Sequence, residues 1–137
     1  MYPIYYRLPH KYKNLIMRKF LVSFGLIVLG AFSTALAQEA KTVTLEQTEG
    51  EFTVKELTLK EGTYIFNIQN SGIDHEVGFV LAPKGMTDAK HHIKEAYVTK
   101  KVATNMTVPT NEVMLKKGMY TYFCPLNPTP EYTLIVE

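Results

Sequence analysis

From residue 41 onward, apolar and polar positions alternate in short runs separated by turn residues, the period of strands with one buried face. Residues 42–47 (TVTLEQ) set Val43 and Leu45 on one side. Residues 63–69 (TYIFNIQ) do the same with Tyr64, Phe66 and Ile68 before Asn70-Ser71-Gly72 breaks the run. In residues 52–59 the apolar positions are Phe52, Val54, Leu57 and Leu59, and the change of parity after Val54 predicts a bulge or bend. Further strands are predicted over 76–81, 108–115, 119–123 and 132–136, with turns at Lys60-Glu61-Gly62 and Lys116-Lys117-Gly118. The texture changes only between 82 and 107. There Pro83-Lys84-Gly85 opens a loop, and residues 88–97 (DAKHHIKEAY) are helix formers with Ile93 and Tyr97 four apart. A short helix or irregular excursion is therefore expected around residues 86–100. About seven strands in about 100 residues, without an internal repeat, predict an all-β, two-sheet sandwich with Greek-key connections.

The first 37 residues read differently. Met17-Arg18-Lys19 is a short basic start, residues 20–36 are almost wholly apolar, and the run closes on Ala35-Leu36-Ala37. A charged start, an apolar stretch and an A-x-A end are the layout of a secretory signal. The expected division is a leader over 1–16, upstream of a second start at Met17, then a signal peptide over 17–37 and one domain over 38–137. Export to the periplasm or the extracellular medium follows. If uncleaved, the apolar run would instead anchor the chain, and membrane contact is expected only through that segment.

Trimming changes the electrostatics. Of the 15 basic residues, Arg7, Lys11, Lys13, Arg18 and Lys19 precede the domain, leaving ten against 13 acidic residues and a net charge near −3. No arginine follows Lys19, so a nucleic-acid footprint is excluded. Enzyme signatures are also lacking: there is no G-x-S-x-G, no H-E-x-x-H, no glycine-rich phosphate loop and no C-x-x-C. The expectation is a protein that is not an enzyme.

One cysteine, Cys124, cannot form an internal disulfide, so it is a buried small hydrophobe, a free thiol, an intermolecular disulfide partner or a metal ligand. It ends the aromatic run MYTYF and opens a proline-bearing loop, CPLNPTPE, that a further strand closes. A loop pinned between two neighbouring strands holds side chains at fixed separations, as a metal site requires. Upstream, a strand leads through Asn70-Ser71-Gly72-Ile73-Asp74 to His75. His91 and His92 are adjacent, and on a helix they diverge, which suits a solvated face. Met86, Met106, Met114 and Met119 are scattered and expected mainly to fill the core.

In these two segments the chain resembles the cupredoxins, the blue-copper β-sandwiches. The resemblance implies copper ligands at His75 and Cys124, with electron transfer or copper handling as the role and a redox or copper-exchange protein as partner. The family's cysteine is usually followed by a histidine two or three residues on and then by a methionine, giving a His₂Cys site with a weak axial thioether. Here Asn127 stands three after Cys124 and no methionine follows in the loop. Glu131 is the remaining oxygen donor, and a His/Cys/Glu set would resemble the red-copper relatives. Two alternatives stay open: a cupredoxin fold without metal that serves as a binding or interaction module, and a redox-reactive thiol without metal.

Overall fold

The computed structural model describes residues 38–137. The expected leader and signal peptide lie outside the described residues. Among the described residues, nine strands form two sheets: β1 (Lys41–Thr48), β2 (Glu51–Phe52), β3 (Glu56–Leu59), β4 (Gly62–Asn70), β5 (Val80–Pro83), β6 (Thr107–Pro109), β7 (Val113–Leu115), β8 (Gly118–Phe123) and β9 (Tyr132–Val136). One sheet runs β2-β1-β4-β6, with β7 also on β4, and the other runs β3-β9-β8-β5. The β1–β4 and β3–β9 pairs are parallel, which requires crossovers between sheets rather than simple hairpins. The all-β, two-sheet sandwich is as the alternation predicts.

The parity change after Val54 marks more than a bulge. Phe52 ends a strand of the first sheet and Glu56 begins one of the second, so the chain changes sheets across residues 53–55. The predicted strand over 108–115 is two short ones, both antiparallel to β4. Between them Thr110 replaces the ladder: its N–H donates to the Phe66 carbonyl at 2.9 Å, and its Oγ1 accepts the Phe66 N–H at 3.0 Å. A buried backbone donor is thereby satisfied where pairing lapses. The excursion contains two single-turn 3₁₀ helices, Ala89–His91 and Lys94–Ala96, in place of one α-helix.

The core is aromatic. Phe52 meets Tyr122 edge-on, with centroids 5.3 Å apart, and also contacts Phe79 and Tyr132 in T-shaped pairs. Phe66 packs on Phe79 at 5.4 Å, so strands of both sheets share one cluster. Tyr122 places its ring there and donates its hydroxyl to the Val54 carbonyl at 2.6 Å, bracing the crossing between sheets. The scattered methionines lie elsewhere. Met86, Met106, Met114 and Met119 are all exposed, contrary to the expectation that most fill the core. Met114 shows why: Val113 and Leu115 on either side are buried, and the period of two turns the methionine outward.

Candidate functional site

Cys124 follows β8 directly, on the parity of Tyr122, and is fully buried. The turn after it is shaped by Thr129, whose Oγ1 accepts the Cys124 N–H at 2.9 Å while its own N–H donates to the Cys124 carbonyl at 3.2 Å. Pro125, Pro128 and Pro130 carry no N–H, so the remaining backbone donors of this short loop are few, and one of them is aimed at the sulfur. The Cys124 Sγ accepts the Asn127 N–H at 3.3 Å and the Gly78 N–H at 3.3 Å.

The groups around the sulfur form a closed ring of hydrogen bonds. Gln47, the last inward residue of β1 and wholly buried, donates Nε2 to the Gly78 carbonyl at 2.7 Å. Asn127 donates Nδ2 to Gln47 Oε1 at 3.1 Å and to the Thr48 carbonyl at 2.9 Å. Its Oδ1 accepts the Gly50 N–H at 2.8 Å. Gly50 turns the chain from β1 to β2 with φ of 72°, a left-handed conformation that glycine adopts without strain. Three segments distant in sequence, residues 47–50, 78 and 124–129, are thus joined through amides. Leu126 lies over Gly78, its Cδ1 3.7 Å from where a Cβ would stand, and is itself 45% exposed.

His75 occupies a different setting. Asn70, buried at the end of β4, donates Nδ2 to the His75 and Val102 carbonyls and accepts the Ile73 N–H on Oδ1. These bonds fix the backbone of the segment and leave the His75 ring exposed, with Nδ1 3.1 Å from the Glu76 carbonyl. Val77 then enters the core, paired with Val102, before Gly78 reaches the sulfur. The strand predicted over 76–81 therefore begins only at Val80, because the groups before it are spent on Val102, Gln47 and Cys124. Glu131 is exposed beside β9.

The two histidines of the excursion differ from each other. His92 is held on both ring nitrogens, Nδ1 by the Tyr97 hydroxyl and Nε2 by the Thr87 carbonyl, each at 2.8 Å. Its ring stands edge-on to Phe123, on the face of β8 opposite the Cys124 side chain, so it fastens the excursion to the second sheet rather than facing solvent freely. His91 Nδ1 lies 3.8 Å from Asp88 Oδ2 on a half-exposed side chain.

Among the described residues, no three or more His, Cys, Asp or Glu side chains are grouped so as to hold a metal ion. The sulfur accepts two backbone N–H groups, and the side-chain amides of Gln47 and Asn127 tie together the segments that carry them. Asn127 occupies the place where the family pattern calls for imidazole, and both its amide donors and its oxygen are committed to protein partners. This donor set does not fit a His₂Cys copper centre. Sequence reading identified the cysteine and the position of Asn127 but missed Gln47 and Gly78. The parity of Val43, Leu45 and Gln47 was the available signal, since it points an amide into the core, where it must find partners.

Several solved structures share this fold. Auracyanin A from Chloroflexus aurantiacus, described as a blue copper protein, matches with a TM-score of 0.58 at 19% identity, covering 72% of this chain and all of that one. Auracyanin from Roseiflexus castenholzii matches at 0.51 and 14% identity, over 72% of this chain and 98% of its own. An azurin from Methylomonas sp. strain J matches at 0.51 and 15%, over 72% and 99%. These likenesses establish the fold. A search among curated proteins found no match. The family model described as the cupredoxin-like domain matches residues 21–136. With the sandwich, the cysteine closing an aromatic strand and the family match in agreement, this chain belongs to the cupredoxin-like family.

Proposed function

We propose that this chain is an exported cupredoxin-fold protein that acts without a bound metal, as a binding or interaction module rather than an enzyme. The observation that carries this reading is the state of Asn127. Its side chain makes three hydrogen bonds to protein, at 2.8, 2.9 and 3.1 Å, which use both N–H donors and turn the oxygen to Gly50, so the residue three after the cysteine serves the protein scaffold and offers no imidazole to a metal. Export is supported by the sequence of residues 17–37.

A second reading, copper binding through Cys124 with His75 and Glu131 and a role in electron transfer or copper handling, is favoured by a separate observation. Two backbone N–H groups point at the Cys124 sulfur, and such outer hydrogen bonds are what a ligating thiolate accepts. On that reading the partner is a redox or copper-exchange protein.

One titration separates the two. The protein without its signal segment, mixed with one equivalent of Cu²⁺, is expected to stay colourless and to show no copper adduct in native mass spectrometry that depends on Cys124. A visible thiolate-to-copper band that disappears in Cys124→Ser would overturn the metal-free reading and establish the second.

A further inference from the structure

The ring of amides around Cys124 has a mechanical consequence. The sulfur is fully buried, yet it lies in a short loop whose outer residues Pro125, Leu126 and Pro128 are exposed. What holds that loop down is unevenly distributed. Thr129 closes the loop on itself, from Cys124 to Thr129, and so does nothing to attach it to the rest of the molecule. Its polar attachments to the neighbouring segments are the Gly78 N–H on the sulfur and the three bonds of the Asn127 side chain to Gln47, Thr48 and Gly50. The sulfur accepts weakly, whereas the three amide bonds span 2.8 to 3.1 Å and are buried or partly buried, so most of the directional hold resides in one side chain.

We propose that Asn127 is a latch, a positioning residue that pins the Cys124 loop to the β1–β2 turn and keeps the thiol out of reach of electrophiles in solvent. With the latch closed, the sulfur meets only Gly78 and Asn127 backbone donors. Removing the side chain releases the outer half of the loop, leaving Thr129 to preserve its base and the aromatic cluster to preserve the sandwich. The proposal takes from the metal-free reading only the claim that the amide ring is the resting state.

The test is the rate at which the thiol of the mature-length protein reacts with the disulfide reagent 5,5′-dithiobis(2-nitrobenzoate) in buffer, followed by thionitrobenzoate release. The wild type is expected to react slowly, at a rate that denaturant accelerates in step with global unfolding. Asn127→Ala is expected to react at least tenfold faster while keeping a cooperative thermal transition. Asn127→Asp, which retains an oxygen for Gly50 but loses both N–H donors, is expected to fall between, and Gln47→Leu to move in the same direction. If Asn127→Ala does not fold, the Asp variant decides: a rate equal to the wild type's overturns the latch. A folded Asn127→Ala that reacts no faster than wild type overturns it equally, as does a wild-type thiol that reacts as fast as in the unfolded chain. Copper uptake by the wild type would count against the metal-free reading alone, because the labelling rates are measured without metal.

Discussion

The aromatic cluster and the ring of amides around Cys124 are both buried, yet they stabilise the sandwich by different means. Phe52, Phe66, Phe79, Tyr122 and Tyr132 contribute through area removed from water and through edge-on contacts, which are broad in geometry. Gln47, Asn127 and Gly78 contribute through direction, since each bond satisfies a group that would otherwise be buried without a partner. Loss of a core contact leaves a void, while loss of one member of the ring leaves several donors and acceptors unsatisfied at once. The first region accounts for stability of the fold. The second fixes the position of one sulfur, and that is where function is to be sought.

Phe66→Ala, at the centre of β4 and wholly buried, is expected to cost about 3–5 kcal/mol in denaturant unfolding, the range for truncating a buried aromatic. A much smaller loss would mean that the cluster is not what holds the two sheets together.

From the ring side, Asn127→Ala orphans the Gly50 N–H, the Thr48 carbonyl and Gln47 Oε1, and is expected to cost about 2–3 kcal/mol. Gln47→Ala should cost a similar amount alone and much less once Asn127 is gone, a coupling of about 1 kcal/mol or more in a double-mutant cycle. Additive losses would show that the amides act separately and do not form a unit.

A smaller effect probes the junction between the regions. Burial, reinforced by the charges of Tyr132 and Glu56, pushes the Tyr122 phenol up to about 12. An unfolded tyrosine titrates near 10, so the stability that Tyr122 contributes is complete below about pH 10 and is lost as pH rises through 12. Tyr122→Phe is expected to cost about 1 kcal/mol at neutral pH, from the unpaired Val54 carbonyl, and to reduce the alkaline loss between those limits. Urea unfolding at stepped pH measures both.

The alternation of Tyr64, Phe66 and Ile68 made β4 legible, and Cys124 at the end of an aromatic strand made the family legible, because both signals are local in sequence. The division of residues 52–59 between two sheets was legible only as a change of parity. Phe52 pairs locally with Gln47, but β3 pairs with β9 at the far end of the chain, and no local pattern names that partner. The ring around the sulfur was hidden for the same reason, since Gln47 and Asn127 are 80 residues apart. His75 drew attention because a histidine after such a turn suits a ligand. Its ring position depends on Asn70 holding the His75 backbone, a tertiary bond that the motif does not record.

The Gly78 and Asn127 amide protons report directly on the sulfur, because both donate to it. In a ¹⁵N-labelled sample given one equivalent of Cu²⁺, the two amide resonances are expected to keep their intensity, with any paramagnetic broadening confined to exposed imidazoles such as His75. Selective loss of the Gly78 and Asn127 signals, restored in Cys124→Ser, would show the metal at the thiol and contradict the account.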